Sequence, residues 1–180
     1  MKILITGIGI TGKSSFLEKL YRFLNKINHD RIILGFDLDY ERHKLPPEFE
    51  PDRVYLLEDV HGPTPKAVFP LKSYDFIFYL LPSWQTHLKF WFDRMLKWYE
   101  NGKFAWDADV GEKGEWSGTG KPRDWRNIPG ILKYFWKRFP KRGQVIKNDL
   151  ETIKEARIPT LLVIPLIRKR KLSFLYKHLE

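Results

Sequence analysis

The sequence predicts an α/β fold, a three-layer α/β/α sandwich built on a mainly parallel five-stranded sheet. Three observations carry this expectation. Short runs of leucine and β-branched residues recur along the chain, as buried parallel strands require. Segments with apolar residues at helical spacing separate most of these runs. At 180 residues the chain is long enough to bury one sizeable core, and it carries no internal repeat, so residues 1–180 are read as a single domain.

Each element follows from its residues. Lys2 to Thr6 reads as the first strand, and Phe16, Leu20, Phe23, Leu24 and Ile27 mark a helix after it. Arg31 to Phe36 reads as a second strand running into Asp37-Leu38-Asp39. Pro46, Pro47 and Pro51 break the chain before a third strand, Val54 to Leu57. A fourth, Phe76 to Leu81, stops at Pro82. An amphipathic helix follows, with Leu88, Trp91, Phe92, Met95, Leu96 and Tyr99 on its apolar stripe and Arg94 off it. Residues 101–127 form a glycine-rich insertion that also carries Trp106, Trp116 and Trp125. Pro129 suits the first turn of the next helix, which Pro140 ends. Asn148, with Glu151 three residues on, is placed to cap a further helix through Ala156. Thr160 to Ile164 reads as the fifth strand, and a basic C-terminal helix is expected beyond it.

Composition narrows the function classes. The chain lacks cysteine, which excludes disulfides, thiolate metal sites and cysteine nucleophiles. No apolar run reaches the roughly 20 residues that cross a bilayer, and no secretory signal opens the sequence, so a cytoplasmic protein with no membrane partner is expected. The net charge of +10 favours polyanionic partners, nucleic acid among them. Two basic clusters stand out: Lys133, Lys137, Arg138, Lys141 and Arg142, and Arg168 to Lys171.

The sharpest signal is Gly7-Ile8-Gly9-Ile10-Thr11-Gly12-Lys13-Ser14, which fits G-x-x-x-x-G-K-[ST] at every fixed position. Its glycines permit backbone conformations that turn successive N–H groups toward one anion. The helix opening there presents its positive dipole to the same charge. Lys13 is expected to reach the β- and γ-phosphates of a nucleoside triphosphate, the Ser14 hydroxyl to ligate Mg2+, and Ser15 to contact the α-phosphate. The match follows a strand and opens a helix, so the chain resembles the P-loop NTPase superfamily, specifically from Ile3 to about Leu20.

That resemblance implies further parts. In nucleotide and small-molecule kinases an acid at the end of the second strand often holds or deprotonates the phosphate acceptor; here Asp37 and Asp39 stand there. The third strand, ending Leu56-Leu57-Glu58-Asp59, resembles a Walker B element, with Glu58 or Asp59 as the Mg2+ ligand. The two acids point to opposite faces if the strand persists, so one of them serves. The 101–127 insertion resembles a LID, with Lys121, Arg123 and Arg126, and more weakly Arg94, neutralising the transferring phosphoryl group.

A competing pattern is visible. Asp59-Val60-His61-Gly62 fits the D-x-x-G of GTPases, and Ile146-Lys147-Asn148-Asp149 resembles their N-K-x-D guanine reader. Val145, Ile146, Asp149, Leu150 and Ile153 also read as one face of a helix, which opposes it. His29, His43, His61, His87 and His178 show no metal-ligand spacing. The leading expectation is an ATP- and Mg2+-dependent phosphotransferase with an unidentified acceptor. A GTP-dependent switch and an ATPase acting on nucleic acid are the alternatives.

Overall fold

The computed structural model describes residues 1–28, 30–101, 121–168 and 171–179. Five strands run parallel: β1 (Lys2–Thr6), β2 (Ile33–Asp37), β3 (Val54–Glu58), β4 (Phe76–Leu80) and β5 (Thr160–Arg168). A sixth, β6 (Lys171–His178), pairs antiparallel with β5, and the order across the sheet is β2-β3-β1-β4-β5-β6. The sheet therefore has six strands rather than five. The expected basic C-terminal helix is this hairpin arm, in which Phe174 and Tyr176, two residues apart, both meet the ring of Phe16. That spacing belongs to a strand and not to a helix.

Helices cover both faces, an arrangement compatible with a three-layer α/β/α fold. On one face α1 (Lys13–Ile27) lays Phe16, Leu17, Leu20 and Leu24 over Ile3, Ile5, Leu56 and Val163. On the other, α5 (Arg142–Ala156) sets Leu150 and Ile153 over Leu4, Leu57, Ile77 and Tyr79. Burying each such aliphatic side chain contributes roughly 1.5–3 kcal/mol, so the two-faced pattern fixes the strand register. The start of α5 at Arg142 makes Asn148 an interior residue rather than a cap.

A third apolar cluster stands apart from the sheet. It joins α3 (Trp84–Asn101) to α4 (Ile128–Arg138) through Trp91, Met95, Trp98, Ile131, Phe135 and Phe139, with Ile10 packed against it. Ser83 caps α3 by accepting from the Thr86 amide at 3.2 Å. The buried stripe of α3 is His87, Trp91, Met95 and Trp98, whereas Phe92 and Leu96 are exposed. Between β2 and α3 the chain also forms the short helix α2 (Leu38–Glu41). Among the described residues no helix is long and apolar enough to cross a membrane.

Candidate functional site

The strand order reverses at β1 and β3. The chain leaves β1 toward β2 on one side and leaves β3 toward β4 on the other. Ligands of open α/β sheets bind outside the carboxyl ends of strands at such a point. Here the crevice lies between the loop after β1, residues 7–12, and the loop after β3, residues 59–66.

Backbone geometry explains the first loop. Gly7 has φ +139°, and a Cβ there would stand 2.6 Å from the Leu80 carbonyl oxygen. Gly12, at φ +82°, turns the chain into α1. Ile10 holds φ +61°, which costs a β-branched residue about 1–3 kcal/mol and is maintained by its packing against the α3–α4 cluster. Thr11 Oγ1 closes the loop by donating to the Ile8 carbonyl at 3.1 Å. Lys13 is buried and folds back over the loop, its Nζ donating to the carbonyls of Ile8 (3.1 Å) and Gly7 (3.3 Å). Gly12, at the head of α1, has no side chain to cap the first turn.

Ser14 and Glu58 meet across the sheet end: Ser14 Oγ donates to Glu58 Oε1 at 3.2 Å. Asp59 faces the other way, as strand alternation requires. Its carboxylate accepts from the amides of His61 (2.7 Å) and Val68 (3.0 Å), which makes it the organiser of the loop after β3. Asp37 ends β2 in register with Glu58, and its amide donates to Glu41. The Asp39 side chain lies outside the described ones.

Beside the glycine-rich loop opens a cavity of about 400 Å³ whose near wall is Ile8, Gly9 and Ile10. Asp37 does not line it. The carboxylate that does is Asp149 of α5, one oxygen of which accepts from the Tyr79 hydroxyl at 2.9 Å. Burial raises the Asp149 pKa, opposed by the Tyr79 bond and the Lys13 charge. Burial and the Asp149 carboxylate push the Tyr79 phenol upward in turn.

His87 ties the cavity wall to the loop. Arg142 Nε donates to its Nδ1 at 3.1 Å, so the neutral ring carries its proton on Nε2, which donates to the Gly9 carbonyl at 3.0 Å. The Trp91 indole nitrogen lies 3.1 Å from the same Nε2. Burial pushes the His87 pKa down to about 4; the Gly9 carbonyl opposes this, and the Arg142 and Lys13 charges add to it. Arg142 Nη2 also donates to the Pro82 carbonyl at 2.8 Å.

The insertion arginines sit elsewhere. Arg126 grips Asp124 through both fork nitrogens, and Arg123, also exposed, joins α3 through its amide on the Tyr99 carbonyl. Lys121 offers its carbonyl to Asn127. None of the three lines the cavity, while Arg94 does. The rest of the expected LID, residues 102–120, lies outside the described residues.

His87, Tyr79, Arg142 and the cavity role of Asp149 escape a reading by motif. One signal was available: His87, Trp91, Arg94 and Trp98 recur at 4-3-4 spacing, a helical stripe mixing polar and aromatic residues. Among the described residues no group of three or more acidic or histidine side chains is arranged to hold a metal ion. No family model matches the chain, and no curated protein matches it in sequence.

Proposed function

We propose that this chain is a Mg-ATP-dependent phosphotransferase of P-loop type, acting on a small-molecule acceptor in the cavity beside the glycine-rich loop. The observation that carries this reading is the Ser14–Glu58 contact at 3.2 Å, a hydroxyl and a carboxylate converging at the head of the loop. The residues fit the implied groups. Among the described residues a Cβ at Gly9 would meet no atom within 4 Å, which leaves open space beside the loop for a ligand to approach the backbone. Two hard oxygen ligands, with the rest from phosphates and water, are what Mg2+ ordinarily takes from a protein.

Lys13 and the loop amides would hold the phosphates, and Ser14 with Glu58 would hold Mg2+. The ion, bound with the nucleotide, would offset negative charge on the phosphoryl group being transferred. Asp149 would accept the proton of the acceptor hydroxyl, in place of Asp37, because among the described side chains it is the carboxylate that lines the cavity. Tyr79 holds that carboxylate in one orientation. His87 sets the Gly9 carbonyl, and so the loop, from the acceptor side. The ring cluster of α3 and α4 supplies an apolar wall that keeps water from competing with the acceptor.

The guanine-reading alternative finds no support. Lys147 and Asn148 lie inside α5, where Lys147 pairs with Glu151 on the exposed side and Asp149 turns inward to Tyr79. β2 runs parallel to β3, not antiparallel as a GTPase-like connection needs.

Calorimetry with Mg-ATP and Mg-GTP tests the reading. Lys13→Ala should lose about 100-fold in affinity, the worth of its charge-assisted bonds, and Glu58→Gln should weaken the Mg2+ dependence. Unchanged nucleotide affinity in Lys13→Ala would sink the proposal, and a clear preference for GTP would return the switch to first place.

A further inference from the structure

The cavity carries a charge pattern that the phosphate loop does not explain. Lys66 from the loop after β3, Arg94 from α3, Arg138 from α4 and Arg142 from α5 all line it. Four separate elements thus bring four cations to one concavity, and among the described residues no carboxylate forms an ion pair with any of them. Among the described residues Asp149 is the one acid in the lining. Its free energy of ionisation is already raised by burial, so it cannot neutralise them all. Lys66, Arg94 and Arg138 are exposed and Arg142 is half-buried, and like charges converging on one concavity repel until an anion sits among them.

One wall is aromatic. Trp91 and Trp98 pack against Tyr134 at ring-centroid distances of 5.4 and 5.6 Å. Arg138 stands over that tyrosine at 5.8 Å, and the charges of Arg138 and Arg94 both bear on its hydroxyl. The two arginines therefore share one corner of the cavity, beside the rings, while Asp149 and Arg142 lie at the His87 side. A volume of about 400 Å³ falls in the range of small-molecule sites.

We infer that the acceptor is a small organic anion with a ring-bearing body. Its phosphate or carboxylate is held by Arg94 and Arg138, its body lies against Trp91, Trp98 and Tyr134, and its hydroxyl faces Asp149. The acceptor role rests on the phosphotransferase reading; the anion site stands on the cavity alone.

The test titrates phenyl phosphate, benzoate and benzyl alcohol into the full chain, following tryptophan fluorescence and heat, with Mg2+ and a non-hydrolysable ATP analogue present. At least one anion should bind about tenfold more tightly than the uncharged alcohol. Arg94→Gln and Arg138→Gln should each lose about tenfold for that anion, the worth of one charge-assisted hydrogen bond, with affinity for the ATP analogue unchanged. Preference for phenyl phosphate identifies a phosphorylated acceptor, and preference for benzoate a carboxylate. Anions binding no better than benzyl alcohol, or wild-type anion affinity retained in both variants, would overturn the inference. Failure of the wild-type chain to bind the ATP analogue would remove the phosphotransferase reading instead. The same titration on Lys13→Ala, with no analogue, then reads the cavity independently of the loop.

Discussion

The cations of this protein fall into two populations. On the outer surface Arg22, Lys44, Arg53, Lys89 and Lys147 each meet a carboxylate three or four residues away on the chain. At the cavity Lys66, Arg94, Arg138 and Arg142 have no such partner among the described residues, and Arg142 spends its fork on a histidine and a carbonyl. Local spacing suffices for the first population, because residues three or four apart on a helix, or across one turn as in Glu50–Arg53, are neighbours whatever the fold. The second exists only because the topology brings loops and helices from four parts of the chain to one crevice. A basic net charge of +10 is thus not one property: part of it is a solvated, self-paired face, and part is aimed.

The largest expected effect breaks the comparison at its single acid. Asp149→Asn keeps the shape and the Tyr79 contact but removes the carboxylate from among the cavity cations. If Asp149 takes the acceptor proton, phosphoryl transfer should fall by about 10²–10⁴-fold, with Mg-ATP affinity unchanged. The structure gives a second readout. Because burial raises its folded pKa, Asp149 favours folding when protonated and costs stability as pH rises through that pKa. Asp149→Asn should therefore raise the melting temperature at neutral pH and leave it unchanged well below pH 3.8, the ordinary carboxylate value. A fall in stability at neutral pH would show the charge to be satisfied and the proton role misplaced.

Much of the fold is legible in the residues, because two-faced burial leaves its mark as continuous apolar strands. Ile3 to Thr6, Val54 to Leu57 and Phe76 to Leu80 admit no other reading in that context. The C-terminal arm is not legible in the same way. Leu172 to Leu179 mixes charged and apolar residues in a short run where helix and strand periods both find matches, and pairing with β5 decides it. In the site, the opposed directions of Glu58 and Asp59 follow from strand alternation, and of the two it is Glu58 that meets Ser14. Asp149 was legible as a polar residue on the inner face of a helix with Leu150 and Ile153. Its partner Tyr79 is 70 residues away, and no local pattern announces such a pair.

The His87 bridge gives the next effect, and it is sharpened by pH. Folded His87 resists protonation down to about 4, against an ordinary 6.5 in the unfolded chain. Above pH 6.5 both states are neutral and the stability is complete. As pH falls from 6.5 through 4, the unfolded chain takes up a proton that the folded protein refuses, so stability is lost across that window. The loss approaches roughly 3 kcal/mol for this one group. Asp149 acts with the opposite sign, so the informative quantity is wild type minus His87→Gln, measured by urea unfolding at several pH values. That difference should slope through the window; a flat difference would show the ring to be solvated and its link to Gly9 absent.

The smallest effect tests the outer population. Arg22 and Glu18 sit one turn apart on α1 with both side chains mostly exposed, at 75% and 61% of their full accessibility. Exposed pairs of this kind contribute about 0.2–1 kcal/mol and fade in salt. Arg22→Gln should shift the urea midpoint slightly at low salt and not at all in about 1 M salt, where the screening length is near 3 Å. Arg142→Gln should behave differently, because it strands the His87 ring nitrogen and the Pro82 carbonyl, at about 1–3 kcal/mol for a buried group left unpaired. Salt does little for a stranded hydrogen bond, so that loss should persist at high salt. Equal and salt-sensitive losses in the two variants would erase the distinction between a paired face and an aimed one. A salt-resistant loss at Arg142 alone would mean that this arginine is held in place by the fold before any anion arrives.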